Sequence, residues 1–217
     1  RSHRVLWLLE ELGVPYEVVR YERNRTTLLA PASLRRIHPL GKSPVITDGG
    51  TTIAESGAII EYLVGEYGNG RLIPAAGTPQ RLRYTYWLHY AEGSAMPPLL
   101  LKLVFDRVGS GSPFLLRPIV NAILAKVNAA FIRPQLELIL NYMDDELRKS
   151  MWFAGEEFTA ADIQMSFPLE AARQRAGLDR TRPRLWNFLE RILRRPAYRA
   201  ALERGGPTRW PVEQGGG

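Results

Sequence analysis

Between His38 and Ser56 the chain reads HPLGKSPVITDGGTTIAES, and this run leaves it few ways to fold. Ser43-Pro44-Val45-Ile46-Thr47 is short, apolar and β-prone, and Asp48-Gly49-Gly50 is turn chemistry before the return run Thr51-Thr52-Ile53. Ile59, Ile60, Leu63 and Val64 then recur on one face of a helix opened by Glu55 and Ser56. Pro44 has no N–H to give a ladder, so it belongs at the head of a strand or at an edge. A Ser-Pro bond adopts the cis form at a cost of about 0.5–1 kcal/mol, which would turn the Ser43 backbone outward toward a peptide-like ligand. At Glu55-Ser56 the free N–H groups and dipole of a helix start favour an anion, and the Ser56 hydroxyl adds a donor. Both residues also have plainer uses, Ser56 as a cap and Pro44 as a trans edge proline.

The rest of the chain surrounds this run with further elements. Arg4 to Leu12 is amphipathic, with Val5, Leu8, Leu9 and Leu12 on one face, and Gly13 and Pro15 end it. Tyr16 to Tyr21 alternates and predicts a strand, Asn24 to Thr27 a polar loop, and Ser33 to Ile37 a short helix with Pro31 near its start. Gly68 to Pro79 is rich in glycine and proline and predicts a linker. Beyond it the pattern is helical: Arg81 to about Val108 with a break at Pro97-Pro98, a loop over Gly109 to Pro113, and Arg117 to Lys149 with a kink at Pro134. Two short helices follow over Pro183 to Arg194 and Pro196 to Arg204, then a mobile tail in which Trp210 docks. Thr159 and Asp162 have capping-box spacing ahead of an apolar run, flanked by Phe158 and Ile163 as a hydrophobic staple. That motif concerns stability, and Asp162 is not a catalytic acid. The divisions are 1–68, a linker at 69–79, an all-helical region at 80–204 and a tail at 205–217.

Composition removes several function classes. The chain has no cysteine, which excludes disulfides, thiolate metal sites and a cysteine nucleophile among its 217 residues. His3, His38 and His89 are dispersed, so no metal is expected. No apolar run approaches the roughly 18 residues that span a bilayer, and neither a membrane nor a nucleic acid is expected as a partner. The net charge of +7 is spread among acids and predicts a solvated basic surface that attracts anionic ligands. A cytoplasmic location is the default.

The helix-one wording RVLWLLEELGVPYE, then HPLGKSP, AESGAI, the linker and the FTAADI cap, follow one another in an order that resembles the glutathione transferase superfamily, in its serine-type bacterial and fungal branch. The resemblance runs from about Arg1 to Arg204. It implies an α/β thioredoxin-like N-terminal domain followed by an all-α helical-bundle domain. In that fold a first strand would lie just before Arg1, beside the Tyr16 to Tyr21 strand. The ligand implied is glutathione, a co-substrate held in extended form. The backbone at Ser43 and a cis Pro44 would pair with its cysteinyl unit, Ser56 would hold the γ-glutamyl carboxylate, and Glu55 would orient the γ-glutamyl group. Lys42 or His38 would face the glycyl carboxylate, and Glu92 would reach the γ-glutamyl amine across a homodimer interface. Each of these last three also has a place as an ordinary surface residue.

The activity implied is transfer of the glutathione thiol to a small hydrophobic electrophile in detoxification, or glutathione-dependent peroxide reduction. Lowering a thiol from about 8.5 by two units takes roughly 2.7 kcal/mol of selective thiolate stabilisation. The catalytic hydroxyl of serine-type relatives would fall just before Arg1 and is unknown here. Ser2 is a weak substitute whose register suits capping, and Arg4 either biases the potential toward a thiolate or packs against a carboxylate. The electrophile would lie between the domains, with Tyr84, Trp87, Tyr90 and Met96 as wall candidates by composition. The alternatives are a non-catalytic scaffold of the same fold that binds glutathione or a protein, a thiol transferase whose cysteine lies upstream, and a nucleic-acid-binding module.

Overall fold

The computed structural model describes residues 1–22, 24, 27 and 29–206. The predicted tail beyond Gly206, with Trp210, and the middle of the predicted loop at 24–27 lie outside the described residues. The chain forms two compact units, Arg1–Ile73 with the chain from Leu193 onward, and Pro74–Ile192.

In the first unit the apolar stripe of the N-terminal run becomes helix α1, Ser2–Leu12, with Val5, Leu8, Leu9 and Leu12 buried. Gly13 ends it at φ 69°, a left-handed position where a Cβ is costly. After the short helix α2, Ala32–Ile37, strands β1, Val45–Asp48, and β2, Thr51–Ala54, pair antiparallel with Val45 opposite Ala54 and Asp48 opposite Thr51. Helix α3, Ser56–Tyr67, buries Ile59, Ile60, Leu63 and Val64 against α1. Each such side chain taken out of water contributes roughly 1.5–3 kcal/mol. Asp48 at the end of β1 accepts from Tyr62 Oη at 3.1 Å and from Tyr67 Oη, which pins the hairpin to α3.

Tyr16 to Tyr21 is not a strand. An extended run becomes one only where a neighbour completes its ladder, and among the described residues the sheet consists of β1 and β2. The chain's return to this unit is a second departure from the division at 80–204. Helix α10, Pro196–Gly205, packs along α1. Glu11 receives Arg195 through Nε at 2.6 Å and Nη2 at 2.8 Å, Glu10 pairs with Arg204 Nε at 3.2 Å, and Trp7 meets Tyr198 edge-on at 5.1 Å.

The second unit is helical throughout: α4, Pro79–Tyr90, α5, Met96–Gly111, α6, Arg117–Val127, α7, Arg133–Glu146, α8, Ala160–Arg175, and α9, Pro183–Leu193, which closes at the unit boundary. The predicted proline breaks appear as π-helical turns. Ala91–Ala95 precedes Pro97 and Pro98, and Asn128–Ile132 precedes Pro134. A wider turn absorbs the missing N–H and the ring clash, after which each proline sits in the first turn of the next segment, where it is tolerated. Gly109, predicted in a loop, is buried in α5 instead. A Cβ there would lie 3.1 Å from Asn121 Oδ1 and 3.2 Å from Leu124 Cδ1, so its absence lets α6 approach.

Helix α8 is buried along most of its length and starts from the capping box at Thr159. Asp162, fully buried, accepts from the Thr159 and Phe153 N–H groups at 2.8 and 2.9 Å and from the Thr159 hydroxyl at 3.0 Å. Burial pushes its carboxyl up to about 6 against those hydrogen bonds. Phe158 packs edge-on against Trp152.

Candidate functional site

The candidate site lies in the first unit, where three elements bring polar groups together. The loop before β1 carries Lys42 and Ser43, both exposed, and the Ser43–Pro44 bond is cis. Its approach is fixed by Gly41, buried at φ 56°, where a Cβ would lie 3.0 Å from Ala30 Cβ and Arg35 Cγ. The hairpin then delivers Glu55 as the residue before α3. Glu55 takes φ 70° and ψ 121°, a conformation few side chains adopt, at a cost of order 1–3 kcal/mol. Its exposed side chain makes no capping bond to α3. Ser56 opens the helix and is only 4% exposed.

Helix α1 supplies the third component. Arg4 is 1% exposed and donates from Nη2 to Ser56 Oγ at 2.8 Å. A guanidinium only donates, so Ser56 Oγ is the acceptor in this pair and its own hydrogen is not used in that bond. Ile59 N–H makes the first intrahelical bond of α3, to Glu55 O at 2.9 Å. The N–H groups of residues 56–58 have no intrahelical acceptor by the geometry of a helix start. A buried cation, a hydroxyl whose proton is not used in the bond to that cation, and the positive end of a helix therefore converge on one point. That combination accepts an anion.

Residues 1–65 match the family described as "Glutathione S-transferase, N-terminal domain", and residues 121–196 match "Glutathione S-transferase, C-terminal domain". The chain is 36% identical to Glutathione S-transferase 3 of Schizosaccharomyces pombe over 94% of its own length and 84% of the relative's. The chain belongs to the glutathione S-transferase family. Glutathione S-transferase 1 of Saccharomyces cerevisiae is 30% identical over 94% of this chain and 91% of that one. A crystal structure of a glutathione S-transferase from Actinobacillus pleuropneumoniae superposes with a TM-score of 0.73 at 34% identity, covering 93% of this chain and 86% of that one. The activity is accordingly that of a glutathione transferase.

Several expectations for this transferase meet different geometry. Ser2 is not the cap of α1: Arg1 holds that position, and Ser2 is exposed in the first turn. Arg4 donates to a hydroxyl, that of Ser56. His38 follows α2 with its ring Nδ1 buried and without a hydrogen-bond partner among the described residues. Tyr84, Trp87 and Met96 are buried. Trp87 packs on Phe153 at 4.6 Å and on Tyr142 at 5.6 Å, so this aromatic stripe serves the core of the second unit. Glu92 sits in the π turn Ala91–Ala95. Next to Arg4, His3 donates from Nε2 to the Tyr198 carbonyl oxygen at 3.4 Å, and burial pushes its pKa down to about 4. Among the described residues no His, Asp and Glu cluster holds a metal, and no helix is long and apolar enough to cross a membrane.

Proposed function

We propose that residues 38–56 and Arg4 form the glutathione site of this transferase. The observation that carries the reading is the Arg4–Ser56 hydrogen bond at the start of α3, one β-hairpin after the exposed Ser43 and its cis bond to Pro44. Ser56 donates its hydroxyl proton and backbone N–H to the γ-glutamyl carboxylate, with Arg4 behind it holding the oxygen and adding positive potential. The Ser43 backbone pairs with the cysteinyl unit in the manner of an added strand. Glu55, presented outward by its positive φ, accepts from the γ-glutamyl amine. Lys42 or His38 faces the glycyl carboxylate. With the peptide fixed at these points, its thiol lies where the N-terminal end of α1 favours a thiolate over a thiol, and the thiolate attacks a small hydrophobic electrophile. The same reading gives a homodimer and a cytoplasmic role in detoxification.

Glutathione titration followed by thermal melting tests this. A ligand that binds only the folded state adds RT ln(1 + [L]/Kd), about 2.7 kcal/mol at one hundred times Kd. A saturating upward shift that Ser56→Ala weakens without loss of fold is the expected result. No shift at millimolar glutathione, or an affinity that Ser56→Ala leaves unchanged, removes Ser56 from the site.

A further inference from the structure

Helices α5 and α6 form a hairpin whose connection ends in Phe114 and Leu115, 81% and 85% exposed. Behind this tip Leu116, Ile119 and Ile123, spaced i, i+3, i+7, continue an exposed apolar stripe along α6. The hairpin is closely packed. Gly109 lets α5 and α6 pack closely, and Arg117 Nη2 caps the end of α5 through Ser110 O and Ser112 O, each at 3.3 Å. Its charge is one-sided. From Arg107 to Leu136 the sequence holds Arg107, Arg117, Lys126 and Arg133 and no aspartate or glutamate. All four cations are exposed.

We infer that this hairpin docks on an anionic lipid surface, with Phe114 and Leu115 inserted at the headgroup boundary and α6 lying along it. Exposed aromatic and aliphatic residues at a tip, flanked by an excess of cations with the one nearby carboxylate, Asp106, already paired to Lys102 at 2.6 Å, match a layer that is apolar below and negative at its face. A second copy of the chain fits less well. A two-fold contact through this patch would set its cations against the same cations, and the nearest carboxylate, Asp106, is already paired to Lys102. A hairpin lying on the surface requires no spanning segment, so the expectation of no membrane partner, drawn from the lack of one, does not bear on it.

The test is sedimentation of the full chain with vesicles of phosphatidylcholine containing phosphatidylserine, against phosphatidylcholine alone, with light scattering in parallel. Binding to the anionic vesicles is expected to fall about ten-fold or more in Phe114→Ser/Leu115→Ser. It is expected to fall about 25-fold in Arg107→Gln/Lys126→Gln, at about five-fold per cation, and further with added salt, while melting stays unchanged. Binding to neither vesicle overturns the inference. So does binding that both double variants leave intact. A dimer that Phe114→Ser/Leu115→Ser dissociates also overturns it, by assigning the tip to a second copy.

Discussion

A double-mutant cycle on Arg4 and Ser56 asks whether the pair at the start of α3 is an energetic unit. Both groups are buried and the Nη2 to Oγ distance is 2.8 Å, so no solvent competes for the bond. A hydrogen bond with one ionised partner contributes about 1.5–3 kcal/mol. Ser56→Ala leaves a guanidinium N–H facing a methyl group, while Arg4→Met keeps the apolar stem and removes the charge. Each single variant also loses interactions that the other keeps, but the cycle cancels those and isolates the coupling. We expect a coupling of about 2 kcal/mol, read as the non-additivity of unfolding free energies from urea titrations of the wild type, both singles and the double. If the singles add to within about 0.5 kcal/mol, Arg4 does not hold Ser56, and the argument that it leaves the hydroxyl proton for a ligand fails. A second readout is specific to the site: Arg4→Met is expected to weaken glutathione binding although Arg4 itself lies behind Ser56.

Three other substitutions test neighbouring claims. Glu55→Gly should leave stability unchanged or raise it by about 1 kcal/mol, because glycine relieves the backbone at φ 70°, while glutathione affinity falls; a clear loss of stability would assign the carboxylate a structural role. Asp162→Ala should cost about 3 kcal/mol, since two buried backbone N–H groups lose their acceptor, and lower the melting temperature by ~10 °C; a shift of a degree or two would show that α8 does not depend on its cap. His3, held down to about 4 by burial, contributes stability that is present above its ordinary 6.5 and lost as pH falls toward 4. Melting curves over that window should show a loss of up to about 3 kcal/mol that His3→Phe abolishes, and an equal slope in the variant would reassign it.

The hairpin and the helix after it were legible because every cue in that stretch is local. Pro44 has no donor, Gly49 takes φ 55° in the turn, and the spacing of Ile59, Ile60, Leu63 and Val64 has one helical solution. The capping box at Thr159 was legible for the same reason. Partners distant in sequence were not. Arg4 interrupts the otherwise apolar buried face of α1, which signals a buried polar partner without naming Ser56, fifty-two positions away. Tyr16 to Tyr21 has the composition of a strand, but a ladder depends on a neighbour that composition does not supply. The prolines at 97, 98 and 134 marked where regular helix fails, yet a break and a π turn remove the same N–H from the pattern. Helical spacing likewise does not separate the wall of a cavity from a core, and for Tyr84 and Trp87 the packing decided it.

The contact between α1 and α10 sets the order in which the first unit can be completed. The ribosome delivers α1 first, and the side chains that clasp it, Arg195, Tyr198 and Arg204, emerge only after the whole second unit has been made. Until then Glu10, Glu11 and the face of Trp7 meet water or a chaperone. Closing a loop of this length costs little more than closing a short one, because the entropy grows only as the logarithm of its length. The delay is therefore one of synthesis time, and a chain released before α10 carries Arg4 and Ser56 on a unit still open along one flank.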